Sequence, residues 1–348
     1  MRLLLVTLLV GCSSRLAATD ASADADPRCE TEASFFTTHP HALEQTSTNG
    51  QNLVDTRGWY GRLYFGYGDV ALNTGPIWVS SLDPVANTWI DHFLFQTQDI
   101  VRFDPIEDML YAPAGQAMGD PPSDYAVGTA THDWGSGGIH IGTALHLIEA
   151  VERAPGDIYL TGEDWFDEAA NITTGAAYRS QNGSAFTEDF PDAPGDNVLN
   201  TWFSNAAALN GTLYVGFGWT FDGQSWGHPD VDLGEFKRPT TFANQIVSET
   251  LGELWAFDGT QMTNLHVTLF PTPCLDLTTL TSLPMFEQSE GRLLVVDDQD
   301  RVMVTTDLET WTCVGHAPPD ACSIGSLDGT IYFGGPAGRI YAFPGPSW

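Results

Sequence analysis

The chain has 348 residues, 13 basic against 45 acidic, and a formal net charge of −32. That charge repels nucleic acid and anionic head groups, which excludes DNA and RNA as partners. Hydrophobic content of 42% and aromatic content of 11% exclude a disordered acidic tail and predict a packed core.

Arg2 is followed by an apolar run from Leu3 to Val10 and then by Gly11 and Cys12. The segment Leu9, Val10, Gly11, Cys12 resembles the lipobox of bacterial lipoproteins, which implies that residues 1–11 are a signal peptide and that Cys12 carries the lipid anchor. Ser13 after that cysteine resembles lipoproteins sent to the outer membrane. The stretch to about residue 30 is Ala, Ser, Asp and Thr with little to bury, and it reads as a flexible tether. Four further cysteines, Cys29, Cys274, Cys313 and Cys322, form an even set in an exported chain. They predict two disulfides with three possible connectivities.

From residue 31 to residue 348 one phrase recurs seven times, a turn residue and then a buried-looking apolar pair: Leu63 and Tyr64, Leu110 and Tyr111, Ile158 and Tyr159, Leu213 and Tyr214, Leu254 and Trp255, Leu293 and Leu294, Ile331 and Tyr332. Such a period marks a repeat whose units bury their apolar faces only by stacking. The sixth unit reads as four short strands over residues 285–314, separated by polar turns. The predicted fold is therefore all-β, a seven-bladed β-propeller of four-stranded antiparallel blades. The only helix-like stretch, Ala144 to Arg153, reads in this frame as an innermost strand. The last unit supplies three strands before the chain stops at Trp348, and the apolar segment 33–38 is unassigned. We expect that N-terminal strand to complete the last blade, which removes an open edge. Closure of this kind places Cys29 nearer Cys313 and Cys322 than Cys274.

Several turns resemble the Asp box of sialidase-like propellers, notably Ser180 to Phe186, Thr306 to Trp311, Phe221 to Trp226 and Ser81 to Asp83. Each departs from the full motif, and the resemblance implies fold, with kelch-like and Asp-box propellers as relatives, rather than activity. Sialidase chemistry would need three arginines gripping a carboxylate and an Arg-Ile-Pro near the first blade, and no Arg-Ile-Pro occurs. Residues 66–76 also resemble a stretch found in uncharacterised secreted propellers.

The longest second-to-third-strand insertions are expected at 67–76, 113–124 and 162–175, in blades one to three, and excess loop length on one face is where scaffolds place function. The candidate ligand-binding residues there are Asp69, Asn73, Asp164, Trp165, Asp167 and Glu168, with His132, Asp133 and Trp134 following in blade two. Tryptophans among carboxylates suit stacking on sugar rings or an all-oxygen calcium site. Residues 228–232 and 297–300 are further acidic turns that could hold a divalent cation. No residue is assigned a catalytic role. The expected function is an envelope-anchored binding module acting as a monomer on a glycan or envelope protein. The alternatives are a carbohydrate-active hydrolase or lyase using the acidic loops and a structural part of envelope assembly.

Overall fold

The computed structural model describes residues 27–69, 71–72, 74–115, 124–137, 144–167, 172–183, 185–189, 205–216, 218–227, 237–276, 281–282 and 284–345, of which 27–28, 144–145, 164–167, 172–174, 275–276 and 281–282 are described by backbone alone. The proposed signal peptide, Cys12 and most of the tether lie outside these residues. Among the described residues no helix is long and apolar enough to cross a membrane.

The described residues form seven four-stranded antiparallel sheets, as the repeat predicts, and one two-stranded ladder besides. Their innermost strands are Asp55–Trp59, Asp104–Ile106, Ala144–Ala154, Ala206–Leu209, Lys237–Phe242, Phe286–Ser289 and Ser323–Leu327. In six of the seven blades the recurring apolar pair opens the second strand, such as Arg62–Gly66 or Arg292–Val296. Second strands are covered on both faces by neighbouring blades, which is why Leu63, Tyr64, Leu110, Tyr111, Leu293 and Leu294 are all fully buried. The apolar clusters accordingly lie between adjacent blades, for example Ile106, Tyr111, Leu147 and Tyr178 between the second and third.

The ring closes through the N-terminus. Ser34–Thr38 pairs antiparallel with Arg339–Ala342 as the outermost strand of blade seven, Phe35 opposite Tyr341. Before it, residues 31–33 run beside the outer strand of blade six, Thr312–His316, with Ala33 N donating to His316 O at 3.3 Å and His316 N to Thr31 O at 2.8 Å. Cys29 bonds to Cys313 on that strand, and Cys274 to Cys322 at the entrance of blade seven. The N-terminal segment is thus stapled to blade six and paired to blade seven. Blades one and seven meet so closely that a Cβ on Gly58 would lie 1.9 Å from Ser326 O, and one on Gly325 2.2 Å from Thr56 O.

Three details differ from the sequence reading. In blade five the pair Leu254 and Trp255 lies on the third strand, Glu253–Phe257, not the second, Gln245–Thr250. The first turn there is made by Ala243 and Asn244, both at positive φ, while Gly252 serves the second turn. Asparagine tolerates that left-handed conformation, so a second tight turn without glycine hides the register. The strand expected near Cys274 as part of this blade is instead a two-stranded ladder outside it, Leu275–Asp276 with Thr281–Ser282. In blade three the expected insertion at 162–175 is ladder at 162–167 and 172–175, because Asp157–Asp167 and Ile172–Ser180 pair as far as Asp167 opposite Ile172, while 168–171 lie outside the described residues.

Candidate functional site

Asp69 folds its own loop. It is fully buried, and its carboxylate accepts from Ser47 Oγ at 2.7 Å and Leu72 N at 3.2 Å. His132, at φ +63°, gives its Nδ1 to the Tyr64 hydroxyl at 2.7 Å, and Trp134 packs on the Tyr64 ring at 5.5 Å. His92 lies 6.0 Å from His132 between ring centres and bonds Ser81 Oγ at 2.7 Å. Burial lowers the affinity of His92 and His132 for a proton, and Arg62 disfavours both imidazolium forms further. Asp133 is exposed and accepts from Thr131 Oγ1 at 2.8 Å. Asp164, Trp165 and Asp167 stand on the extended hairpin of blade three, where only the backbone is described. Asn73 and Glu168 lie outside the described residues, as do residues 228–232. Asp297 is engaged by its own turn, accepting from Gln299 N at 3.0 Å and Arg301 N at 2.9 Å and pairing with the Arg301 side chain. Among the described residues no three His, Cys, Asp or Glu side chains are grouped to hold a metal ion.

What the sequence reading did not single out is the centre of the ring. Three arginines and four carboxylates from the innermost strands and their approaches meet in the channel. Arg57 pairs with Glu287 at 2.8 Å and donates to Phe103 O and Gln288 O, both at 3.0 Å. Arg102 pairs with Asp104 at 2.9 Å and Glu149 at 2.5 Å. Arg238 reaches Asp55 at 3.4 Å and the carbonyls of Val54 and Val101 at 3.1 and 3.0 Å. The carboxylates also tie blade to blade through backbone amides: Asp55 accepts from Phe103 N, Asp104 from Ala150 N and Glu149 from Ala206 N. Buried charges persist only when paired and hydrogen-bonded in this way.

Next to this network is a cavity of about 450 Å³ lined by Arg57, Arg102, Glu149, Glu287, Ala208 and Thr240 among others. Its rim includes Glu107, Glu152 and Glu290, at or beside the turns between first and second strands. That end of the blades is opposite the one carrying the second-to-third connections, where ligand residues were expected. Glu152 and Glu290 brace the rim by accepting from Gly156 N at 2.8 Å and Gly329 N at 3.0 Å.

Electrostatics set the protonation of the channel. Burial pushes the Glu149 carboxyl up to about 8, against the pull of Arg102. Burial raises Asp104 and Glu287 as well, opposed by Arg102 and Arg57. For Arg102, burial opposes the charge, yet Asp104 and Glu149 hold the guanidinium above its ordinary value. The arginine therefore stays charged, and any proton taken up goes to a carboxylate. Three arginines do converge, but each is committed to carboxylates or carbonyls, unlike an open clamp for a ligand carboxylate.

No family model matches the chain, and no curated protein matches it in sequence. It is similar to two crystal structures of an extracellular domain from B. thetaiotaomicron, assigned to a hybrid two-component system in one and to a one-component system in the other. The first is 10% identical with a TM-score of 0.55, over 85% of this chain and 40% of that one. The second is 11% identical with a TM-score of 0.56, over 90% and 42%. A computationally designed protein, Ika8, aligns at 11% identity over 90% of this chain and 99% of its own, with a TM-score of 0.48. At such identities the likeness is one of fold, and the chain spans well under half the length of the two extracellular proteins.

Proposed function

We propose that this chain is a cell-envelope lipoprotein, held by Cys12 on a short tether, whose β-propeller binds a ligand in its central channel. The observation that carries the binding reading is the 450 Å³ cavity beside a charge network drawn from five of the seven blades. A cavity of this size with a few convergent polar groups is the usual form of a ligand site. The disulfides Cys29–Cys313 and Cys274–Cys322 support an oxidising, exported setting, and the extracellular domains of similar fold accord with it. The lipobox-like segment supports the anchor, and the turns centred on Asp222 and Asp307, each accepting from two backbone amides, agree with an Asp-box-like propeller.

Two measurements test this reading. Metabolic labelling with an alkynyl fatty acid should mark the wild-type chain and not the Cys12→Ser variant. The purified full chain, incubated with envelope glycans and peptides with and without chelator, should bind saturably without forming product. Turnover abolished by Asp164→Asn or Asp167→Asn would replace the binding module with a carbohydrate-active enzyme.

A further inference from the structure

We propose that the central channel takes a small organic monocation, an ammonium or guanidinium group, in exchange for the proton that otherwise balances its buried charges; this rests on the channel being the ligand site. The guanidiniums of Arg57, Arg102 and Arg238 face the carboxylates of Asp55, Asp104, Glu149 and Glu287 in one connected network. Three positive and four negative charges leave one negative charge without a counterpart. A net charge at sites as buried as Asp55, Glu149 and Glu287, 1%, 2% and 6% exposed, is costly, so one further positive charge is required.

Among the described residues no neighbouring element supplies it. Blade four lines the cavity with Ala206, Ala207 and Ala208, none of them titratable, and no described residue of the blade-seven inner strand Ser323–Leu327 lines it. Lys237 in blade five is paired with its own carboxylate, Glu249, at 3.2 Å. The cavity rim adds the carboxylates Glu107, Glu152 and Glu290, which lower the potential along the entrance. Without a ligand the missing charge is a proton, and the upward shift of Glu149 agrees with its residence there. A cavity of 450 Å³ is far larger than a metal ion requires, and no three ligating side chains are grouped for one among the described residues. It suits an organic group whose charged end lies at Glu149 and Glu287 and whose body occupies the remaining space.

The exchange balances: the ammonium or guanidinium enters, its charge replaces that of the proton, and the carboxyl releases the proton to solvent without a redox step. Proton competition makes affinity fall about tenfold for each pH unit below about 8. A matched four-carbon series tests it, with butylamine, butanol and butyrate titrated into the full chain by calorimetry at pH 6 and pH 9, and butylguanidine as a guanidinium probe. Butylamine or butylguanidine should bind at pH 9 and at least tenfold more weakly at pH 6. In two buffers of different ionisation enthalpy, about one proton should be released per ligand near pH 7. Glu149→Gln should lose the binding and its pH dependence, and Glu287→Gln, if Glu149→Gln does not fold, should weaken it. Equal binding of butanol or butyrate, binding without proton release, or no binding of either cation overturns the inference. Saturable capture of a neutral glycan would still leave the channel as the ligand site.

Discussion

Replacing Cys29 and Cys313 with serine removes the bond that staples the N-terminal segment to blade six just before it becomes the outer strand of blade seven. The two cysteines are 284 residues apart in sequence, whereas Cys274 and Cys322 are 48 apart. The entropy of closing those loops in the unfolded chain corresponds to about 5–6 kcal/mol for the first bond and about 4 kcal/mol for the second. The larger loss should therefore follow Cys29→Ser with Cys313→Ser, with the smaller following Cys274→Ser with Cys322→Ser. Equilibrium urea unfolding followed by tryptophan fluorescence measures both, and hydrogen exchange at residues 34–38 shows where the first variant opens. In that variant the Ser34–Thr38 amides should exchange before those of blades two to four. A first variant as stable as wild type, or one whose outer strand in blade seven keeps full protection, would refute the clasp.

The junction of blades one and seven and the channel charges give two further predictions. Gly325→Ala places a methyl group 2.2 Å from Thr56 O and should cost about 3 kcal/mol in urea unfolding, while Gly135→Ala, with no atom within 4 Å, should change stability by less than about 0.5 kcal/mol. Below 6.5 the unfolded chain takes up protons that folded His39 and His92 refuse, their affinities lowered by burial to about 3 and about 4, so their contribution is lost as pH falls. Glu149 has the opposite sign, because its folded value of about 8 exceeds the unfolded 4.5: the stabilisation is present at low pH and lost as pH rises through 8. Thermal unfolding across pH should show a loss of about 2 kcal/mol between pH 6.5 and 8. Glu149→Gln should flatten that limb, and an unchanged limb would contradict the assignment.

The ring was legible in the sequence because its strands carry a strong signal. Second strands are covered on both faces, so Leu63 with Tyr64 and Leu293 with Leu294 stand out as apolar pairs after tight turns. The missing strand of blade seven was legible from Phe35 and Phe36, apolar residues with no other use. Blade five misled because Asn244 does the work of a glycine there. The long hairpin of blade three read as a loop because Asp164, Asp167 and the glycines resemble an acidic insertion, although the ladder continues through them. The channel was missed for a different reason. Asp55, Arg57, Asp104 and Glu287 lie in short innermost strands, where an isolated charge looks like a solvated edge position until the ring brings the strands together. A faint signal was present: in a chain with 13 basic residues, Arg57, Arg102 and Arg238 all occupy or approach first strands. Asp69 belongs to the converse case, a carboxylate in a long loop that folds the loop from inside.

Filling the channel tests most directly whether function resides there. Ala208 is half-buried, lines the cavity and lies on the innermost strand of blade four, so Ala208→Trp should occupy the space without touching the paired charges. Calorimetric titration of butylamine at pH 9 into this variant, alongside wild type and a Leu251→Ala control on an exposed turn, should show binding in the last two and none in the first, with circular dichroism unchanged. A folded Ala208→Trp variant that binds butylamine as wild type does would contradict the account.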